Sequence, residues 1–206
     1  MCRSVMKFLT IAATSGAVIS LGVMPASMAS ADTSITATYP VTGSTHIKAT
    51  GGTVPLGPGT LTSTVDLNTS AVSGTLSLPA ATASFKEVGF IPVTATTQFT
   101  QVGAATGTAD LSTNTVTVTS QTNLQITSLS VAGVRIPVGR DCETQSPASI
   151  TVSSQPGFNV LSGGDLAGTY TIPRFSHCGL ATLLINLTIP GAGNTIALTL
   201  GAAKLG

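Results

Sequence analysis

The chain has 206 residues, of which 42% are apolar, 4% aromatic and only 7% charged, with a formal net charge of +1 at neutral pH. An ordinary soluble domain is about a quarter charged, so serine and threonine must wet the surface here. With no basic face to neutralise phosphates, nucleic acid is not an expected partner.

Residues 1–31 have the three parts of a signal peptide: a basic start with Arg3 and Lys7, an apolar and small-residue run from Phe8 to Met24, and a small-x-small site at Ala29-Ser30-Ala31. Cys2 precedes the basic residues and is not placed like a lipid-modified cysteine. The expected product is a secreted chain, in the medium or at the cell wall, that starts at Asp32. Its 175 residues suffice for one domain with a sizeable core. Removing Arg3 and Lys7 leaves six basic residues against seven acidic, a net charge near −1. No later stretch reaches the roughly 18 unbroken apolar residues of a spanning helix, and the tail from Leu198 to Gly206 carries no visible sorting motif or anchor, so the expectation is a mature chain without a tether.

From Asp32 onward, apolar residues alternate with polar ones. Val116 and Val118 face one way and Thr115, Thr117 and Thr119 the other; Ile196, Leu198 and Leu200 alternate with Thr195, Ala197 and Thr199. Such period-two runs predict half-buried strands, and threonine suits the wet face because its β-branch fits the pleat. Gly57-Pro58-Gly59, Pro79-Ala80, Gly103, Gly133, Pro156-Gly157, Gly163-Gly164 and Pro190-Gly191-Ala192-Gly193-Asn194 cut the chain into short strands. The last of these separates Leu183, Ile185, Leu187 and Ile189 from the final strand, which predicts a terminal hairpin. The fold expected for residues 32–206 is a single antiparallel β-sandwich of immunoglobulin-like or jelly-roll style, with an open β-barrel as the second choice.

A weak internal repeat relates 57–95 to 102–142. Aligning Asp66 with Asp110 also matches Gly59 with Gly103, Thr69 with Thr113 and Val72 with Val116 at one offset of 44. One inserted residue then places Ile91-Pro92-Val93 on Ile136-Pro137-Val138.

Cys142 and Cys178 are the only cysteines left after export, and such a pair reads as one disulfide. Closing a loop of about 36 residues would stabilise the fold by roughly 4 kcal/mol in the chain-entropy picture. The surrounding order, Ile136-Pro137-Val138-Gly139, Cys142, Gly168-Thr169-Tyr170-Thr171-Ile172-Pro173, Cys178-Gly179 and Pro190-Gly191-Ala192-Gly193-Asn194-Thr195, resembles a family of secreted actinobacterial proteins with no established activity. The resemblance covers about the last two thirds of the mature chain. It implies export, an all-β fold and the cysteine pair, and it brings no catalytic residues.

Candidate chemistry is sparse, and no cofactor is expected. His46 and His177 are the only histidines. His177 with Asp165 and a serine would make a hydrolase triad, but no Gly-x-Ser-x-Gly elbow accompanies them, and a turn role beside Cys178 is the expectation. Cys142, His177 and Cys178 with Asp141 or Glu143 would make a metal set, against which stand export and the unusual spacing. Asp66-Leu67-Asn68-Thr69 resembles the start of a calcium loop but lacks its glycine and glutamate, so Asp66 and Asp110 are read as caps of their own turns. Tyr39 and Tyr170 are too few for a sugar platform, and Phe85, Phe90, Phe99, Phe158 and Phe175 are expected in the core. Lys86-Glu87 is a lone charge pair. Arg140-Asp141-Cys142-Glu143 reads as a wet loop holding the disulfide at the surface.

The function expected first is a non-enzymatic structural or interaction protein of the envelope or medium. Strand edges are normally guarded by lysine or proline, and only Lys48, Lys86 and Lys204 are available, which points to self-association or pairing with an envelope component. A carrier of an apolar ligand such as a lipid comes second. A β-barrel pore comes third, disfavoured because so few aromatics cannot build the girdles of a spanning barrel.

Overall fold

A computed structural model describes residues 33–87 and 90–206. The leader and Cys2 lie outside the described residues, as do Val88 and Gly89 after the Lys86–Glu87 pair. The chain runs through β1 (Ser34–Ile47), β2 (Gly52–Asp66), β3 (Ala71–Ser77), β4 (Ala81–Glu87), β5 (Ile91–Gln101), β6 (Ala105–Asp110), β7 (Thr115–Val131), β8 (Val134–Ile136), β9 (Glu143–Thr144), β10 (Ala148–Ser154), β11 (Gly164–Ile172) and β12 (Phe175–Ser176). A single helical turn leads into α1 (Thr182–Thr188), and β13 (Gly191–Leu200) and β14 (Lys204–Leu205) finish the chain.

Eight of these strands close on themselves. The antiparallel order is β1-β2-β3-β6-β7-β10-β11-β13 and back to β1. The seam is the β7–β10 ladder, where Val118 faces Val152 and Thr119 faces Thr151. This closed barrel overturns the expected sandwich, and its closure also differs from the open barrel held second. Alternation reports only that each strand has one dry face, and a sandwich and a barrel both satisfy that. What separates them is the long-range ladder from β7 to β10.

The inner face collects the apolar half of each alternation: Val116 and Val118 of β7, Ile150 and Val152 of β10, Leu166 of β11, and Ile196, Leu198 and Leu200 of β13. The outer face collects the hydroxyls, which pair across strands. Thr119 meets Thr151 at 2.8 Å, Thr117 meets Ser153 at 3.0 Å, and Thr36 meets Thr64 at 2.9 Å. Two bulges keep the alternation aimed inward along the longest strands. On β2 the ladder slips opposite Val41 and Gly43 of β1, so Leu56 and Leu61 both line the interior despite their odd separation. On β7 the slip opposite Thr96 and Thr97 lets Ile126 and Leu129 both be buried.

Above the barrel, β7 continues and pairs with β5, which pairs with β4. This outer hairpin leans against the first turn of β2, where a Cβ added to Gly52 would stand 3.1 Å from the Cβ of Phe85.

The predicted terminal hairpin is not present. Residues Thr182–Thr188 are helical, and β13 pairs with β1 and β11 instead. Ala181 and Ile185 are buried and Ile189 is partly buried, a spacing of four that fits one side of a helix. Leu183 and Leu187, the other half of the apparent alternation, are 70% and 76% exposed. A leucine-rich run satisfies both periods, and helix propensity decides. Phe90 is 72% exposed, not in the core; Phe158 and Phe175 are buried, and Phe85 and Phe99 are partly buried against the core.

Candidate functional site

The interior of the barrel is not filled. A cavity of about 130 Å³ runs inside it. Its origin lies in residue size at one level of the ring. Ser63, Gly74 and Ala105 are successive register partners across β2, β3 and β6, and Ser120 follows on β7 one residue past the Thr106–Thr119 pair. These four small residues leave room that the larger side chains of the other half, among them Tyr39, Ile150, Leu166 and Leu198, do not cross. Every residue lining the space is uncharged.

Gln101, at the end of β5, completes part of the side wall. Its Nε2 donates to the carbonyls of Gly74 and Gly103, both at 2.8 Å, and its Oε1 accepts from the backbone N–H of Leu76 at 2.8 Å. One end of the barrel is plugged by the loop 155–163, which turns Phe158 inward. Gly157 and Gly163 hold left-handed φ values of 91° and 83° there, a conformation glycine adopts without steric cost. The phenol of Tyr39 donates to the Val160 carbonyl at 2.9 Å, and Asn159 reaches Asn114 at 3.3 Å.

Tyr170 lines the cavity beside Thr45. Thr45 donates its hydroxyl proton to the Thr195 carbonyl at 2.8 Å, so the Tyr170 phenol is the donor in their 2.7 Å contact. Asn194, buried, braces the same region: its Nδ2 donates to the carbonyls of Gly191 and Tyr170, and its Oδ1 accepts from the Lys48 N–H. Burial pushes both phenols above the ordinary tyrosine range. Beyond Tyr170 lies a second, smaller space of about 50 Å³, lined by Ile47, Phe85, Leu124, Ile126, Phe175 and Ile189 among others.

Of the residues singled out from sequence, Cys142 and Cys178 are joined, with Cα atoms 4.3 Å apart. Both are fully buried, which corrects the expectation of a surface disulfide. Arg140 and Asp141 are exposed, but the Cys142 carbonyl accepts from Ile126 on β7, drawing the sulfur into the core. The triad residues have separate partners. His177 takes a left-handed φ of 57° with Nδ1 3.0 Å from the Ser176 hydroxyl, while Asp165 on β11 accepts from Thr199 at 2.7 Å. His46 lies on the outer face, 3.4 Å from the Thr53 hydroxyl. Among the described residues no three His, Cys, Asp or Glu converge as a metal set.

Asp66 and Asp110 cap their turns as expected. Asp66 accepts from the N–H groups of Asn68 and Thr69, which lowers its pKa. Asp110 accepts from the Ser112 hydroxyl and N–H and from Thr113, and is held down to about 2. The next residue with positive φ is Ser70 in one turn and Asn114 in the other, again 44 apart.

The residues that shape the cavity, Ser63, Gly74, Ala105 and Ser120, were not foreseen. Each is ordinary in its own strand. Only their adjacency across four strands makes a void, and no spacing along the chain records it.

The fold and the interior together define a closed, eight-stranded antiparallel barrel with an uncharged central cavity. Compared with protein-family models, curated proteins and solved structures, the chain matches none.

Proposed function

We propose that this protein is a secreted carrier of a compact apolar ligand, held inside the barrel. One observation carries the reading: an uncharged, mostly aliphatic cavity of about 130 Å³ within a barrel whose outer face is coated with paired hydroxyls. An apolar cavity of about 150 Å³ engineered into another protein stays dry and takes up benzene, so the size suits a single ring or a short chain. The small hydroxyls of Ser63 and Ser120 in the wall suit a ligand with one hydrogen-bonding group.

Ring closure weakens the motive for the structural reading, because every barrel strand has a ladder partner on both sides. The outward threonines and inward aliphatics also reverse the arrangement of a membrane pore, whose apolar face looks out. No helix among the described residues is long and apolar enough to cross a membrane.

The test is isothermal calorimetry of delipidated protein with hexanol. Saturable uptake supports carriage, and its absence removes it. An interaction role keeps one observation in its favour, the exposure of Leu180, Leu183 and Leu187 around α1. Light scattering of the Leu183→Ser, Leu187→Ser double variant tests that role: association in the parent that the variant abolishes would support it.

A further inference from the structure

The two spaces adjoin, because three residues line both: Thr45 on β1, Phe99 on β5 and Tyr170 on β11. They come from three distant parts of the chain and form the wall between a compartment of about 130 Å³ and one of about 50 Å³. The wall is unequal in its making. Phe99 sits on the outer hairpin opposite Leu124, with no side-chain hydrogen bond to hold it. Tyr170 is fixed at both ends. Its phenol donates to Thr45, which is itself anchored on the Thr195 carbonyl, and its own carbonyl accepts from Asn194. Just past Tyr170 the β11–β13 ladder slips, the kind of irregularity that re-aims a side chain.

We propose that Tyr170, braced by Thr45 and met by Phe99, is the residue that sets ligand length. This rests on the carrier reading above and adds to it a specificity-determining side chain. A ligand in the larger compartment ends against the Tyr170 ring. The smaller compartment, lined by Ile47, Phe85, Leu124 and Ile189, also offers apolar surface, on the far side of the three shared residues. Removing the ring joins the two spaces, and a longer chain then gains contact with both.

The chemistry predicts the form of the data as well as its direction. Each methylene moved from water into an apolar space strengthens binding by about fourfold, as long as there is space to receive it. For the parent protein, affinity across a series of primary alcohols from butanol to hexadecanol rises methylene by methylene and then stops rising where the chain meets Tyr170. In Tyr170→Leu the rise continues past that break for several more carbons. Phe99→Leu opens the wall from the other side while leaving the Tyr170–Thr45 contact intact, so it tests the same partition should Tyr170→Leu fold poorly. Both variants are to be compared with the parent by calorimetry at one temperature and buffer.

A break that moves to longer alcohols in Tyr170→Leu, or in Phe99→Leu where Tyr170→Leu does not fold, supports Tyr170 as the ruler. A break that stays put in folded Tyr170→Leu, or in Phe99→Leu where Tyr170→Leu does not fold, overturns it while leaving carriage intact, as does a parent series without a break. A parent that takes up no alcohol of any length overturns the carrier reading itself.

Discussion

The hydroxyls of Thr45 and Tyr170, 125 residues apart in the chain, meet at 2.7 Å inside the barrel. Because the Thr45 proton is committed to the Thr195 carbonyl, one hydroxyl ties β1 to β11 and to β13. Thr45→Val removes both bonds and leaves a buried phenol without its acceptor, whereas Tyr170→Phe removes one bond and leaves Thr45 its other partner. A typical intramolecular hydrogen bond contributes about 1 kcal/mol, and a buried orphan costs about 1–3 kcal/mol. Urea midpoints should therefore fall further for Thr45→Val, by about 2 kcal/mol or more against about 1 kcal/mol for Tyr170→Phe. The reverse order would contradict this hydrogen-bond assignment.

The disulfide closes the segment that holds β10, β11 and the plugging loop. Cys142→Ala with Cys178→Ala should lower stability by up to about 4 kcal/mol through loop-closure entropy. Since both sulfurs are fully buried, mild reductant should leave the pair intact in the folded protein and open it only as urea unfolds the chain. Thiol labelling across a urea series reads this directly, and rapid labelling of the native protein would count against a buried bond.

Three glycines in the barrel should respond differently to alanine. At Gly107 the new Cβ would collide with the Thr117 carbonyl oxygen, and at Gly168 with that of Thr151; both lie against backbone in ladders of the ring. At Gly74 its nearest neighbour is a Leu61 methyl at 3.4 Å, an ordinary contact, and the methyl would enter the cavity. Gly107→Ala and Gly168→Ala are expected to destabilise by about 1–3 kcal/mol. Gly74→Ala is expected to be neutral or to stabilise by about 0.5 kcal/mol, through a less free unfolded chain. Thermal unfolding of the three variants separates the two groups.

Stability should vary with pH at both extremes. Asp110 is depressed to about 2 by its Ser112 and Thr113 hydrogen bonds, so its contribution is present above the ordinary value near 3.8 and is lost as pH falls towards 2. Carboxyl-carbon NMR should find its midpoint there. The two tyrosines are raised by burial, so their contribution is full below the ordinary value of 10.0 and is lost as pH climbs through the raised folded values. With two tyrosines and no tryptophan in the chain, ultraviolet titration sees these groups alone. Ionisation at an ordinary pH in the folded state would contradict their burial.

Local chemistry was readable from the chain, and tertiary neighbourhood was not. The Val116/Val118 and Ile196/Leu198/Leu200 alternations are strands with the dry face expected of them, and Asp66 and Asp110 cap the turns their sequence suggests. These depend on residues a few positions apart. Closure depends on Val118 meeting Val152, and the cavity on Ser63 meeting Gly74 and Gly74 meeting Ala105. Nothing in the order of residues within one strand says which strand lies beside it, so the same pattern read equally well as two packed sheets. The run around Ile185 misled for a different reason: its leucines and isoleucines fit a strand and a helix alike.

The central claim is an interior that receives an apolar guest, and the most direct test is an NMR titration of methyl-labelled protein with hexanol. Saturable shifts are expected at Val116, Val118, Leu166 and Leu198, which line the cavity. Shifts confined to Leu183 and Leu187 on the outside, or none at all, would contradict it.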